Sequence, residues 1–264
     1  MTITKGKKSN GGKQTVKKSS LSDKNESGKE LSELPKDVPS YLVKPGQVQR
    51  GFENVKKDDL QLPRLKLLQA LSPEVEDEKG KAGDIINSLS DENYGTELSF
   101  IPILQSYSRV YWASKEKDAE ILCSSNDGIV PSPAIEEPPA KTCEACPNSK
   151  FIEDEGPVCT EFYNFPVLVN GKEPAGLALS RTKISVAKRL ISKAMYAGKG
   201  LDLFSMKFKL RSKKVTGEKF SYYNFDVVGA GFVTEVEFKA AESFYNSIRN
   251  KFVTIHQSNE AEKE

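Results

Sequence analysis

Three of the four cysteines fall within KTCEACPNSKFIEDEGPVC (Lys141–Cys159), and the fourth, Cys123, lies shortly upstream. The spacing is Cys123-x19-Cys143-x2-Cys146-x12-Cys159. A CxxC pair lets two thiolates of one tight turn reach a single ion, and two further cysteines complete a tetrahedron at Zn–S distances of about 2.3 Å. The intervening IVPSPAIEEPPAK is polar and proline-rich, with little to bury. Metal binding, worth about 10–16 kcal/mol of apparent folding free energy in zinc-finger peptides, exceeds what such a stretch gains from burial. The expectation is a structural Zn²⁺ ion held by Cys123, Cys143, Cys146 and Cys159. A redox CxxC and inert thiols are the alternatives. The first belongs with a thioredoxin-like βαβ pattern, which the sequence lacks. A catalytic zinc of the deaminase type needs an HxE motif. The sole histidine, His256, lies far downstream, and four thiolates leave no open position for water. The cluster therefore reads as a staple.

LFSMKFKLRSKKVTGEKFSYYNFDVV (Leu203–Val228) has the pattern of a β-hairpin. Phe204, Met206, Phe208 and Leu210 alternate with Lys207, Lys209, Arg211 and Lys213, as on a half-buried strand. A turn at Thr216-Gly217 pairs Leu210 with Tyr223, Phe208 with Phe225 and Met206 with Val227 on the apolar face. On the other face Lys213 meets Phe220, Arg211 meets Tyr222, Lys209 meets Asn224 and Lys207 meets Asp226. A slip of one residue mixes the faces, so the pattern selects the parity. Cations interleaved with rings suit an unpaired nucleic-acid strand: cations follow phosphates, and rings stack on bases at about 1–3 kcal/mol each. Lys207, Lys209, Arg211, Lys213, Phe220 and Tyr222 are the candidate contacts. Tyr107, Arg109 and Tyr111 repeat the alternation on another strand, and Lys188 and Arg189 extend the positive charge from a helix. The competing reading is a solvated strand whose lysines discourage edge pairing.

The elements that position these residues are strands at Leu65–Leu68, within ELSFIPILQSYSRVYWAS (Glu97–Ser114), and in EFYNFPVLVNG and GLALSRT, joined by a turn at Asn170-Gly171. Pro102 marks an edge or a break. Ile184, Ala187, Leu190, Ile191, Ala194 and Met195 recur at helical spacing between an N-cap at Thr182 and a C′ glycine at Gly198. Phe238, Ala241, Phe244, Tyr245, Ile248 and Phe252 mark a second helix. The fold class is β-rich α+β: an OB-like barrel with a zinc-bearing loop insertion, two or more helices and a disordered N-terminal tail. The domain reading is a basic tail over 1–50, one OB-like DNA-binding domain over 51–255 with a zinc loop at 115–160, and a flexible tail over 256–264. Residues 1–50 are rich in Lys, Ser and Gly and too poor in apolar groups to offset the entropy of ordering.

The 264 residues carry a net charge of only +2, but the charge is segregated. Residues 1–20 hold six lysines and no acid, and residues 181–219 hold twelve Lys or Arg against Asp202 and Glu218. A polyanion-binding face is compatible with a near-neutral total on that distribution. No apolar run approaches the length that crosses a bilayer, and no secretory h-region is present. The expected setting is a reducing cytoplasm without structural disulfides. No phosphate loop, nucleophile–base pair or metal-binding carboxylate motif emerges, so the chain reads as a non-enzyme.

The blocks LPRLKLLQALSPEV, GDIINS, CSSNDG, CEACP, CTEFYNFPVLV and SRTKISVAKRL together resemble a family of bacteriophage single-stranded DNA-binding proteins, over about residues 59–228. The resemblance implies a role in phage DNA replication or recombination, an infected host cell as the setting, replication or recombination proteins as partners, and the same four cysteines as ligands. The chain departs from many such binders at its end, where NEAEKE is mildly acidic and lacks a terminal aromatic. The alternative is a zinc-stapled interaction module that contacts protein and not DNA.

Overall fold

The computed structural model describes residues 62–249 and 255, apart from 115–118, 154 and 218–219. All lie in one compact unit, Val55–Glu264. The expected tails over 1–50 and 256–264, and Phe252, fall outside the described residues.

Nine strands and three α-helices follow one another among the described residues: β1 (Leu65–Leu67), α1 (Pro73–Glu76), β2 (Ile85–Asn87), β3 (Glu97–Pro102), β4 (Ser106–Trp112), β5 (Ile121–Ser125), β6 (Thr160–Val169), β7 (Glu173–Ser180), α2 (Ile184–Gly198), β8 (Met206–Thr216), β9 (Ser221–Phe232) and α3 (Glu235–Ile248). The β-rich α+β class holds. Seven strands form one antiparallel sheet in the order β5-β4-β6-β3-β8-β9, with β7 on β6, and β1 pairs with β2 separately. β3 and β4 both run along β6: Phe100 faces Val169, and Ser106 faces Asn164. They form one long strand broken after Pro102, the break expected of a proline that removes a ladder donor.

Asn170 and Gly171 both take positive φ (51° and 76°) and reverse the chain between β6 and β7. That is the conformation for which Asn-Gly is selected. Phe100, Phe165, Phe208, Leu177, Leu179 and Leu190 are fully buried between the inner sheet face and α2. α2 contributes Val186, Ala187, Leu190 and Ala194. Met195, expected inside, is exposed, and Ile191 packs only partly. The helix ends also differ from expectation. Arg181–Lys183 form a 3₁₀ turn, no side chain caps α2, and Lys199, not a glycine, takes the left-handed C-cap conformation.

No closed barrel forms by strand pairing: β7 and β9 do not pair with each other among the described residues. β1 touches both strands. At one end Pro63 O accepts from Gly176 N at 2.7 Å. At the other, the Gln69 side chain exchanges two hydrogen bonds with the Tyr223 backbone, at 2.9 and 2.8 Å. Gly83 lets this segment approach, since a Cβ there would sit 2.6 Å from the Tyr223 ring.

α3 covers the opposite face, burying Ile101, Ile103, Leu168 and Phe204 under Ala241 and Ile248. Thr234 and Glu237 form a capping box at its start, and Lys207 Nζ donates to Glu237 at 2.5 Å. Burial pushes the Glu237 carboxyl up. The bonds from Lys207 and from Thr234 outweigh burial and hold it below its ordinary value of 4.5. A carboxyl depressed in the folded state contributes stability above its unfolded pKa, which is lost as pH falls through the folded value. The melting temperature should therefore fall less between pH 7 and pH 3 in Glu237→Gln than in the unsubstituted protein. Equal falls would show that this group does not drive acid unfolding.

Candidate nucleic-acid interface and cysteine centre

The hairpin β8–β9 keeps the expected faces and shifts the expected register. Leu210 faces Val227, Arg211 faces Asp226, Lys213 faces Asn224 and Thr216 faces Ser221. From Phe208 to Thr216 each residue of β8 meets a partner four positions beyond the expected one, and past a bulge Met206 meets Phe232, five beyond. The cause is the turn: both strands continue to Thr216 and Ser221, and Gly217 N donates to Phe220 O at 2.9 Å. A slip by an even number preserves the faces. Met206, Phe208, Leu210, Phe225 and Val227 are buried, while Arg211 and Lys213 are exposed. Phe220 is 52% exposed, Tyr222 is half-buried, and their rings lie 6.3 Å apart at 44°.

The cations do not form the uninterrupted row expected. Lys207 is held by Glu237 of α3. Lys209 Nζ donates to Glu97 at 2.7 Å, and Arg211 Nε donates to the other oxygen of the same carboxylate. Those bonds hold Glu97 below its ordinary value. Glu97 reaches them because β3 pairs with β8, Glu97 opposite Arg211. Arg189 of α2 pairs with Asp226 at 3.0 Å and ties the helix to the hairpin. Lys213 makes no ion pair among the described residues, and Lys188 is exposed on α2. The hairpin tip is thus the part of this face where rings and an unneutralised cation meet.

Tyr107, Arg109 and Tyr111 sit elsewhere, on β4, which pairs with β5 and β6 and not with the hairpin. Tyr107 packs edge-on against Tyr163 with centroids 4.8 Å apart. Arg109 and Tyr111 line the cysteine cavity.

The four cysteines come together. Tyr111 of β4 faces Cys123 of β5, which lies on the near side of the insertion. Cys143 N donates to Ile129 O at 2.8 Å, and Cys159 N to Asn148 O at 2.9 Å. The Ser149 hydroxyl reaches both Cys143 O (2.6 Å) and Cys146 O (2.8 Å), fixing the CxxC turn. Asp127 organises the bend after β5: backbone N–H groups of Ile129 and Val130, and the Ser125 hydroxyl, hold its carboxylate below the ordinary value. Cys123, Cys143, Cys146 and Cys159 then line one small cavity with about 20 Å³ of room, the space of a single water-sized particle. All four are free thiols. Burial pushes Cys159 up to about 11, opposed by the nearby Arg109 and reinforced by the other three sulfurs. Burial, then Cys143 and Cys146, raise Cys123. Among the described residues no three His, Cys, Asp or Glu side chains stand in a ready-made ligand cage. The backbone converges the thiols without closing them into a tetrahedron.

Sequence reasoning missed Glu97 and Glu161, the carboxylates that hold Lys209, Arg211 and Arg109. It also missed β5, which anchors the insertion to the sheet. No helix among the described residues is long and apolar enough to cross a membrane. No curated protein and no solved structure matches the chain. The family model of Pam3 phage gp34-like proteins matches residues 28–254, which take in all the described strands and helices and all four cysteines, and the chain belongs to this phage family.

Proposed function

We propose that the protein is a non-catalytic, sequence-tolerant single-stranded DNA-binding protein that acts in phage replication or recombination. The observation that carries this reading is the hairpin tip. Phe220 and Tyr222 present neighbouring rings on the face that also holds Arg211 and Lys213. Rings there stack on unpaired bases while cations follow the phosphates. The strand order gives support. β7-β6-β3-β8-β9, with α2 between β7 and β8, is the connectivity of an OB barrel left open between its third and fifth strands. OB folds bind oligonucleotides with the loop between strands 1 and 2 and the loop between strands 4 and 5. In this chain those are the cysteine insertion and the hairpin tip.

Four thiols around one cavity are a donor set that suits a zinc ion. Cys123, Cys143, Cys146 and Cys159 would hold it, and a four-thiolate site supplies folding free energy to the insertion and no reaction. The ion would fix the first of the two loops.

Glu97 sets the sign of a test. One carboxylate offsets two cations, Lys209 and Arg211, so Glu97→Gln adds a net positive charge to the interface without touching a ring. Oligo(dT) affinity is expected to rise several-fold at low salt. For a single strand, log K falls with log salt by about 0.7 per neutralised phosphate. The unsubstituted protein should show a slope between about −1.4 and −3, and Glu97→Gln a steeper one. Salt-independent affinity, or weaker binding by Glu97→Gln, defeats the reading.

A second reading rests on the insertion. Ile129, Phe151, Ile152 and Val158 are more than half exposed there, a surface suited to a protein partner. It gains ground if oligo(dT) does not bind.

A further inference from the structure

Arg109 lies on β4 between two partner strands, opposite Ser125 of β5 and Glu161 of β6. Its Nη2 donates to Glu161 Oε1 at 3.0 Å, and the side chain lines the cavity shared by the four cysteines. Its Nε–H is buried and has no hydrogen-bond partner among the described residues. A buried donor left unpaired is costly, so its place beside four sulfurs calls for an acceptor there. A neutral thiol accepts weakly, whereas a metal-bound thiolate carries full anionic character.

We infer that Arg109 is a positioning residue of the cysteine centre, its Nε–H giving a hydrogen bond to a metal-bound thiolate, with Cys159 the prime acceptor. The inference rests on the zinc reading. Zinc with four thiolates carries a net charge of −2, which makes its sulfurs strong acceptors for a guanidinium N–H. Glu161 holds the guanidinium through Nη2 and leaves Nε for sulfur. Outer-shell hydrogen bonds of this kind are worth about 10–100-fold in metal affinity. It follows that Arg109 is not a phosphate contact.

The test measures Zn²⁺ affinity by competition with a chromophoric chelator, and the sulfur-to-metal charge-transfer band of the Co²⁺-loaded full chain. Arg109→Gln, Arg109→Lys and Glu161→Gln are compared with the unsubstituted protein. Arg109→Gln should lose about 10–100-fold in affinity. Its band should move to lower energy, because the thiolate lone pair is no longer stabilised by a donor. Arg109→Lys should recover part of the affinity, and Glu161→Gln should keep all of it. No metal binding by the unsubstituted protein would remove the zinc reading itself. Metal binding with an unchanged band and affinity in Arg109→Gln would overturn the role of Arg109 alone. A loss in Glu161→Gln as large as in Arg109→Gln would also overturn it, since the pair would then act only as a strut.

Discussion

Replacing Phe220 and Tyr222 together by alanine is expected to weaken oligo(dT) binding by about 30- to 1000-fold. Each ring that stacks on a base contributes about 1–3 kcal/mol, and 1.4 kcal/mol is a factor of ten. The lower part of that range applies, because Tyr222 is half-buried and keeps some of its area in the fold. Each single substitution should cost about 5- to 30-fold. Thermal stability should hardly change, since Phe220 is largely exposed and the hairpin is secured by Phe208, Leu210, Phe225 and Val227 beneath. Surface substitutions of this kind usually lie within about 0.5 kcal/mol. Fluorescence anisotropy of a labelled oligo(dT), with a melt run on each variant, separates the two effects. Undiminished binding by the double variant would remove the tip from the interface. A large drop in melting temperature would make the rings structural.

The second large effect concerns the insertion. Chelation of the proposed zinc, or Cys143→Ser with Cys146→Ser, is expected to release the stretch from 121 to 159 while the sheet stays folded. The reason is the division of the core. The main cluster draws on β1, β2, β3, β6–β9 and α2 and includes no residue between 101 and 162. The insertion is attached through β5 and a few backbone hydrogen bonds, too few to offset the conformational entropy of some forty residues at about 1–2 kcal/mol each for the backbone alone. Limited proteolysis should therefore cut between 121 and 159 in the metal-free protein and spare the metal-loaded one, with the main melting transition kept in both. Equal protection with and without metal would contradict the staple.

The sequence showed the faces of elements more readily than their partners. Alternation along Met206–Leu210 placed Phe208 inside and Arg211 outside, because a pleated strand carries that information residue by residue. The register of the same hairpin came out four positions off. A turn at Thr216-Gly217 and the observed pairing of Thr216 with Ser221 satisfy the same alternation, and parity alone does not choose between them. Asn170-Gly171 was legible because it demands positive φ at two successive residues. Glu97 was not: it meets Arg211 across a separation of 114 residues, and nothing in its own neighbourhood marks it as a partner. The same holds for Gln69, whose amide binds the Tyr223 backbone 154 residues away. The convergence of the cysteines was visible in their spacing, while the place of Arg109 beside them, paired with Glu161, was not. Tyr107, Arg109 and Tyr111 alternate as the hairpin does, but β4 turns them toward Tyr163 and the thiol cavity.

Trp112 packs against Phe162, away from the hairpin, so intrinsic tryptophan emission is a poor reporter of the tip and a labelled ligand is the better probe. The most direct measurement is a titration of the full chain against fluorescein-labelled oligo(dT) and against a duplex of equal length, in the same moderate salt. Saturable binding of the single strand, with the duplex competing at least tenfold more weakly, is the result expected of rings that need unpaired bases. Equal affinity for both ligands, or no binding of oligo(dT) at micromolar protein, would contradict the account.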